Sequence, residues 1–249
     1  MTANTQTLHG RVILVTGAGQ GLGRATALAC ARAGATVVLL GRTTTKLEQV
    51  YDEIVAAGGA MPAIFPMNLD DAADKDFETL AQAIAGQLAR LDGIVHCAAA
   101  FEPPAPLSIQ SVTAWQTQMQ VNCIAPFAIN KACERLLRSA PDAAVLLIGE
   151  SHGHSPAAYW GGLAASKAAL EAYFKVLAQE WSEAPAPRAN LIVPGPIASP
   201  QRARTHPGED RQTLPTPETL AVDLVQMLGP AGRDMRGQLI LWKDPGATL

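Results

Sequence analysis

The sequence is patterned as an α/β protein, a three-layer αβα sandwich on a doubly wound parallel sheet of about seven strands. Short runs rich in valine, isoleucine and leucine alternate with longer alanine-rich segments of helical period, the rhythm of strand–helix–strand units. Most of these runs are apolar throughout, as strands covered by helices on both faces must be. The first run ends in a cluster of glycines that opens directly into a helical segment. With 249 residues, 48% hydrophobic and 16% charged, a single domain over 1–249 holds such a core, and no repeat or linker divides the chain.

In chain order, RVILVTG (11–17) is the first strand and 22–33, with its ALACAR core, the first helix. ATVVLLGR (35–42) and the segment 45–57 repeat the pattern, followed by MPAIFPMN (61–68) and 74–90. GIVHCA (93–98) is the fourth strand; a proline-rich loop, Glu102-Pro103-Pro104-Ala105-Pro106, separates it from a long helix over 108–138, which Pro126 should kink. AAVLLIG (143–149), a helix over 160–182 and ANLIVPG (189–195) come next. The polar stretch 199–215 reads equally as a substrate lid or a disordered surface loop. Thr216-Pro217 supplies an N-cap and first-turn pair for a helix over 218–228, and QLILW (238–242) closes the sheet.

The turn after the first strand, Thr16-Gly17-Ala18-Gly19-Gln20-Gly21-Leu22-Gly23, carries specific chemistry. Glycines admit positive φ and let backbone N–H groups close on a pyrophosphate, while the helix N-terminus adds about half a positive charge. The spacing is Thr-Gly-x-x-x-Gly-x-Gly in a strand–turn–helix setting. Gly17, Gly19, Gln20, Gly21, Leu22 and Gly23 are therefore candidates to cradle a dinucleotide on a Rossmann fold. At the end of the second strand an acidic residue would bind ribose hydroxyls; Arg42 stands there instead, and its planar fork suits a 2′-phosphate. NADP is thus the expected cofactor, with NAD possible.

Together with Asn122 after strand four, Ser166-Lys167 after strand five and Pro194-Gly195-Pro196-Ile197 after strand six, these motifs make nearly the whole chain resemble the short-chain dehydrogenase/reductase family. LDGIVH (91–96) and WGGLAASK (160–167) look like its YciK-like bacterial branch. The resemblance implies an NADP(H)-dependent oxidoreductase acting on a small carbonyl or alcohol. It further implies cofactor contacts at Ala98, Pro194, Gly195, Ile197 and Lys167, and places Asn68-Leu69 where the family usually has an aspartate and an aliphatic residue near the adenine, whose amino proton the Asn68 carbonyl can still accept. A homodimer or homotetramer formed through the helix over 160–182 and the long helix before it is implied as well.

The family's catalytic set, as the resemblance implies it, is a tyrosine acid or base, a serine orienting the substrate oxygen, a lysine that assists the tyrosine and binds ribose, and an asparagine supporting a water relay. Lys167 and Asn122 match. The tyrosine position holds Leu163 and the serine position Glu150, and the strand-four end reads His96-Cys97-Ala98-Ala99 in place of the usual asparagine-containing segment. Removing a positioned acid typically forfeits about 10² to 10⁴ in rate, so the active site should be atypical or impaired. Glu150 and Tyr159 lead the candidates for a relocated acid, with Ser151 beside them, against the plainer reading that all three are polar loop residues near a cleft. The alternative function is a catalytically inactive nicotinamide-binding protein acting as sensor or scaffold.

Other readings of the same loop are weaker. Gly149-Glu150-Ser151-His152-Gly153 spells the hydrolase pattern G-x-S-x-G, but Pro156 precedes the next helix and the dinucleotide turn has no place in that fold. Glu150, His152 and His154 on one loop lack the supporting partners a metal needs, so no metal is expected. A net charge of −3 offers no basic footprint for nucleic acid or an anionic membrane. The N-terminus carries no signal-like run, which predicts a cytoplasmic protein without membrane spans. The cysteines show no paired spacing and read as core thiols.

Overall fold

A computed structural model describes residues 7–183 and 185–243. Seven parallel strands form one sheet: β1 (Val12–Thr16), β2 (Thr36–Gly41), β3 (Ala63–Pro66), β4 (Gly93–His96), β5 (Ala144–Ile148), β6 (Arg188–Val193) and β7 (Leu239–Leu241). Their spatial order is β3-β2-β1-β4-β5-β6-β7. Because side chains alternate along a strand, Ile13, Val15, Val37 and Leu39 enter one core while Leu14, Val38 and Leu40 enter the other. Both cores are apolar and buried, which explains why the strands read as uninterrupted apolar runs.

Over the first core pack α1 (Gly21–Arg32), α2 (Thr44–Ala56) and α9 (Pro217–Leu228), through residues such as Leu28, Ile54 and Leu224. Over the second lie α3 (Asp74–Leu88), α5 (Ala125–Ser139) and α7 (Gly161–Glu180), through Leu80, Ile129 and Phe174. The short helix α4 (Val112–Met119) leads into α5, and two small helices, α6 (Ser151–His154) and α8 (Pro200–Thr205), follow β5 and β6. The three-layer doubly wound fold is the expected one.

The single helix expected over 108–138 is divided by a π turn at Gln120–Ile124. Pro126 has no amide hydrogen for the Asn122 carbonyl, and the Ala125 amide reaches back to Gln120 instead. The stretch 199–215 is partly ordered: the Ser199 hydroxyl accepts from the Arg202 amide at 3.1 Å and, with Pro200 in the first turn, starts α8. The order in which strands are added reverses between β1 and its parallel neighbour β4, so the connections leaving their carboxyl ends diverge and leave a crevice between them.

Candidate functional site

That crevice is a cleft of about 510 Å³ along the carboxyl ends of the strands. Its first half is made by the glycine turn. Gly17 has φ +67°, and a Cβ there would come within 2.9 Å of the Ala98 Cα; at Gly23 a Cβ would lie 2.2 Å from the Gly17 carbonyl oxygen. These glycines bring α1 hard against β1 and the end of β4. The turn is tied down by the Ala18 amide donating to the Leu40 carbonyl at 3.1 Å and the Ala98 amide donating to Thr16 Oγ1 at 3.0 Å. Gln20 caps α1 without a side-chain bond, and no acidic residue sits in the first turn. A pyrophosphate fits such uncapped amides. Arg42 borders this half, and Lys46 reaches Gln20 Oε1 at 2.7 Å.

The other half lies where β5 hands over to α6 and α7. Lys167 is buried and donates from Nζ to the Ile148 carbonyl at 2.7 Å. Burial lowers its pKa to about 8 against the opposing pull of the Glu150 carboxylate. Gly153 has to be glycine, since a Cβ would meet the Lys167 Cβ at 2.5 Å; the α6 turn rests directly on the lysine. Glu150 accepts from Ser151 Oγ at 2.9 Å, from the His152 amide at 2.9 Å and from His152 Nδ1 at 3.2 Å. The His152 ring stacks on Trp160, with centroids 3.9 Å apart, and His206 approaches the same indole at 5.7 Å. Leu163 is 2% exposed and packs inward.

Beneath these groups runs a buried polar chain. His96 Nε2 meets Asn130 Oδ1 at 2.9 Å, and Asn130 Nδ2 donates to the Tyr173 hydroxyl at 3.0 Å. The amide oxygen can only accept, so Nε2 carries the proton, and His96 Nδ1 is buried without a partner. Burial pushes the His96 pKa down to about 4, with the bond to Asn130 opposing and Lys167 assisting. Cys97, on the cleft wall, is pushed up to about 12 by burial and stays a thiol, while Cys30 and Cys133 sit in the core.

All the sequence-selected residues line the cleft except two. Asn122 is fully buried: its Oδ1 accepts from the Ala100 amide at 2.8 Å, and its Nδ2 donates to the Ala100 carbonyl at 2.8 Å and to Ser166 Oγ at 2.9 Å. It clamps the segment after β4 to α7. Tyr159 is a correction to the expectation that it serves as the relocated acid. Its backbone is left-handed (φ 73°), its carbonyl accepts from Ala105, and its side chain is 59% exposed, outside the cleft. A helical register cannot be carried backward through such a residue. Sequence reading overlooked Lys46, Trp160 and His206, which also border the cleft. Lys46 was findable as a cation one helical turn beyond Arg42; His206, on a long polar stretch, left no signal.

A family model described as short chain dehydrogenase matches residues 11–210. The chain is similar to the uncharacterized oxidoreductase YciK of Escherichia coli K12, at 38% identity over 230 residues covering 92% of this chain and 90% of that one. Among solved structures, it is similar to a short chain dehydrogenase from Shigella flexneri 2a complexed with NADP, at 36% identity and a TM-score of 0.91, covering 95% of this chain and 98% of that one. A short chain dehydrogenase from Escherichia coli CFT073 complexed with NADPH gives 38% identity, a TM-score of 0.91 and the same coverage, 95% and 98%.

Proposed function

The chain belongs to the short-chain dehydrogenase family, and on that premise we propose that it binds NADP(H) and moves a hydride between that cofactor and a small carbonyl or alcohol at an atypical site. The supporting observation is one continuous cleft that joins the glycine turn, Arg42 and Lys46 at one end to Lys167 and Glu150 at the other. The amides around Gly19 to Gly23 would hold the pyrophosphate, Arg42 and Lys46 the 2′-phosphate, and Asn68 the adenine amino group, beside Leu69. Lys167 would hold the nicotinamide ribose, with Ala98, Pro194, Gly195 and Ile197 shaping the wall around the ring. The cofactor supplies the hydride; the protein orients it, excludes water and handles any proton.

A neutral ketone becomes an alkoxide as it accepts hydride, and here no phenol stands ready to neutralise it. Leu163 is inert, Tyr159 is turned away, and Ser151 donates to Glu150. Ketone reduction should accordingly be slow. No helix among the described residues is long and apolar enough to cross a membrane. A cytosolic location suits this reading, as does a homodimer or homotetramer through the apolar residues that α5 and α7 expose, Phe127 and Val176 among them.

The test is a calorimetric titration with NADPH and NADH. Saturable binding with NADPH the tighter is expected. No saturation with either would remove the basis of the proposal.

A further inference from the structure

The substitution of glutamate and leucine for the two oxygen-handling side chains leaves a distinctive chemical surface. Glu150 presents a negative group to the cleft. It forms no ion pair with a lysine or arginine among the described residues; its partners are Ser151 and His152. Lys167, the nearby cation, is turned onto the Ile148 carbonyl. Of the arginines on the same wall, Arg202 is held by Glu209, and Arg204 lies over the Phe101 ring at 4.8 Å. A carboxylate beside the reacting centre repels the oxyanion that forms when a ketone is reduced. It attracts a substrate whose reacting double bond ends in a protonated nitrogen.

We infer that the preferred substrate class is a small imine taken as its iminium ion, with Glu150 receiving the N–H⁺ and no acid needed in place of the buried Leu163. The inference rests on the reading of this cleft as a nicotinamide hydride-transfer site, and narrows it from C=O to C=N⁺.

The step balances without a protein acid. The iminium carbon gains the hydride, and its C=N π pair becomes the lone pair of a neutral amine. The reduced nicotinamide is converted to its oxidised form, and no proton is donated. The proton that makes the carbon electrophilic is already on nitrogen, where the adjacent anion raises the protonated fraction. Run in reverse, the same site would oxidise a secondary amine. Loss of the tyrosine is crippling for a carbonyl and immaterial for an iminium. Replacement of serine by glutamate is harmful to the first and favourable to the second.

The experiment compares dihydroisoquinoline with tetralone, a ketone of similar shape, on NADPH-saturated protein at neutral pH. The imine should be reduced faster by on the order of 10²-fold, the lower end of what a missing acid costs the ketone. A second readout is independent of turnover. Tetrahydroisoquinoline, the amine product, which takes a proton from water to become an ammonium ion at neutral pH, should bind the NADP⁺-loaded protein in a calorimeter and bind Glu150→Gln about tenfold or more weakly, as loss of a charge-assisted hydrogen bond requires. Three results would each overturn the inference while leaving the cofactor reading intact: tetralone reduced as fast as the imine, neither substrate reduced although NADPH saturates, or an ammonium affinity indifferent to Glu150→Gln. Failure of NADPH itself to bind would instead remove the parent reading.

Discussion

Between β1 and α1 the cleft is shaped by backbone: Gly17 and Gly23 admit the end of a neighbouring strand and a carbonyl where no side chain fits, and the start of α1 carries no side-chain cap. Between β5 and α7 it is shaped by side chains: the Glu150 carboxylate, the Lys167 ammonium and the His152–Trp160 stack. A backbone-built site cannot change its chemistry without changing the fold. A side-chain site can, because Leu163 occupies its buried position as comfortably as any core leucine. The first half therefore keeps its ligand while the second is free to change its reaction.

The contrast breaks most sharply at Gly23. Its absent Cβ would lie 2.2 Å from one backbone oxygen and 2.6 Å from the Gly17 carbonyl carbon, atoms fixed by β1 and unable to yield as a flexible side chain would. Gly23→Val should cost more than about 3 kcal/mol in urea unfolding, by overpacking and forced displacement of α1. Whatever folded protein remains should show no NADPH saturation. A variant with wild-type stability and affinity would mean that the turn is not the rigid seat described.

Legibility in the sequence follows the same division. The sheet was readable because strands buried on both faces have no alternation to confuse, and the turn because Gly17, Gly21 and Gly23 answer to steric demands that only glycine meets. Lys167 was readable through its helical neighbours. The fate of Tyr159 was not, since one left-handed residue before α7 decides it, and local sequence does not announce a positive φ at tyrosine. The π turn was half legible: Pro126 announces a break in the helix, but not that Asn122 inside it clamps Ala100 and Ser166. The role of Glu150 depends on His152 folding back onto it, a contact that spacing alone leaves open.

The side-chain half should also be the more sensitive to acid, through His96. Its folded pKa is about 4, below the ordinary value of 6.5, so between those values the unfolded chain binds the proton and the folded chain does not. The sign follows: stability is unaffected by this residue above about pH 6.5, falls as pH drops through that window, and the loss is complete below about pH 4. The total is about 3 kcal/mol. Urea midpoints for wild type and His96→Asn should converge with falling pH as the wild type loses this margin. Parallel curves would mean that His96 is already solvated.

The smallest expected effect tests the backbone half at one of its charged side chains. Arg42 is exposed at the end of β2, where water and salt screen it, so its worth must be modest. Arg42→Ala should weaken NADPH by about 10- to 100-fold, equivalent to about 1.5–3 kcal/mol for a charge-assisted phosphate contact, and leave NADH nearly unchanged. The difference between the two cofactors carries the argument, because they share every feature except the 2′-phosphate. An equal loss for both would mean that Arg42 supports the turn through structure, joining it to the backbone-built seat. No loss for either would transfer phosphate recognition to Lys46, whose bond to Gln20 already positions it beside the turn.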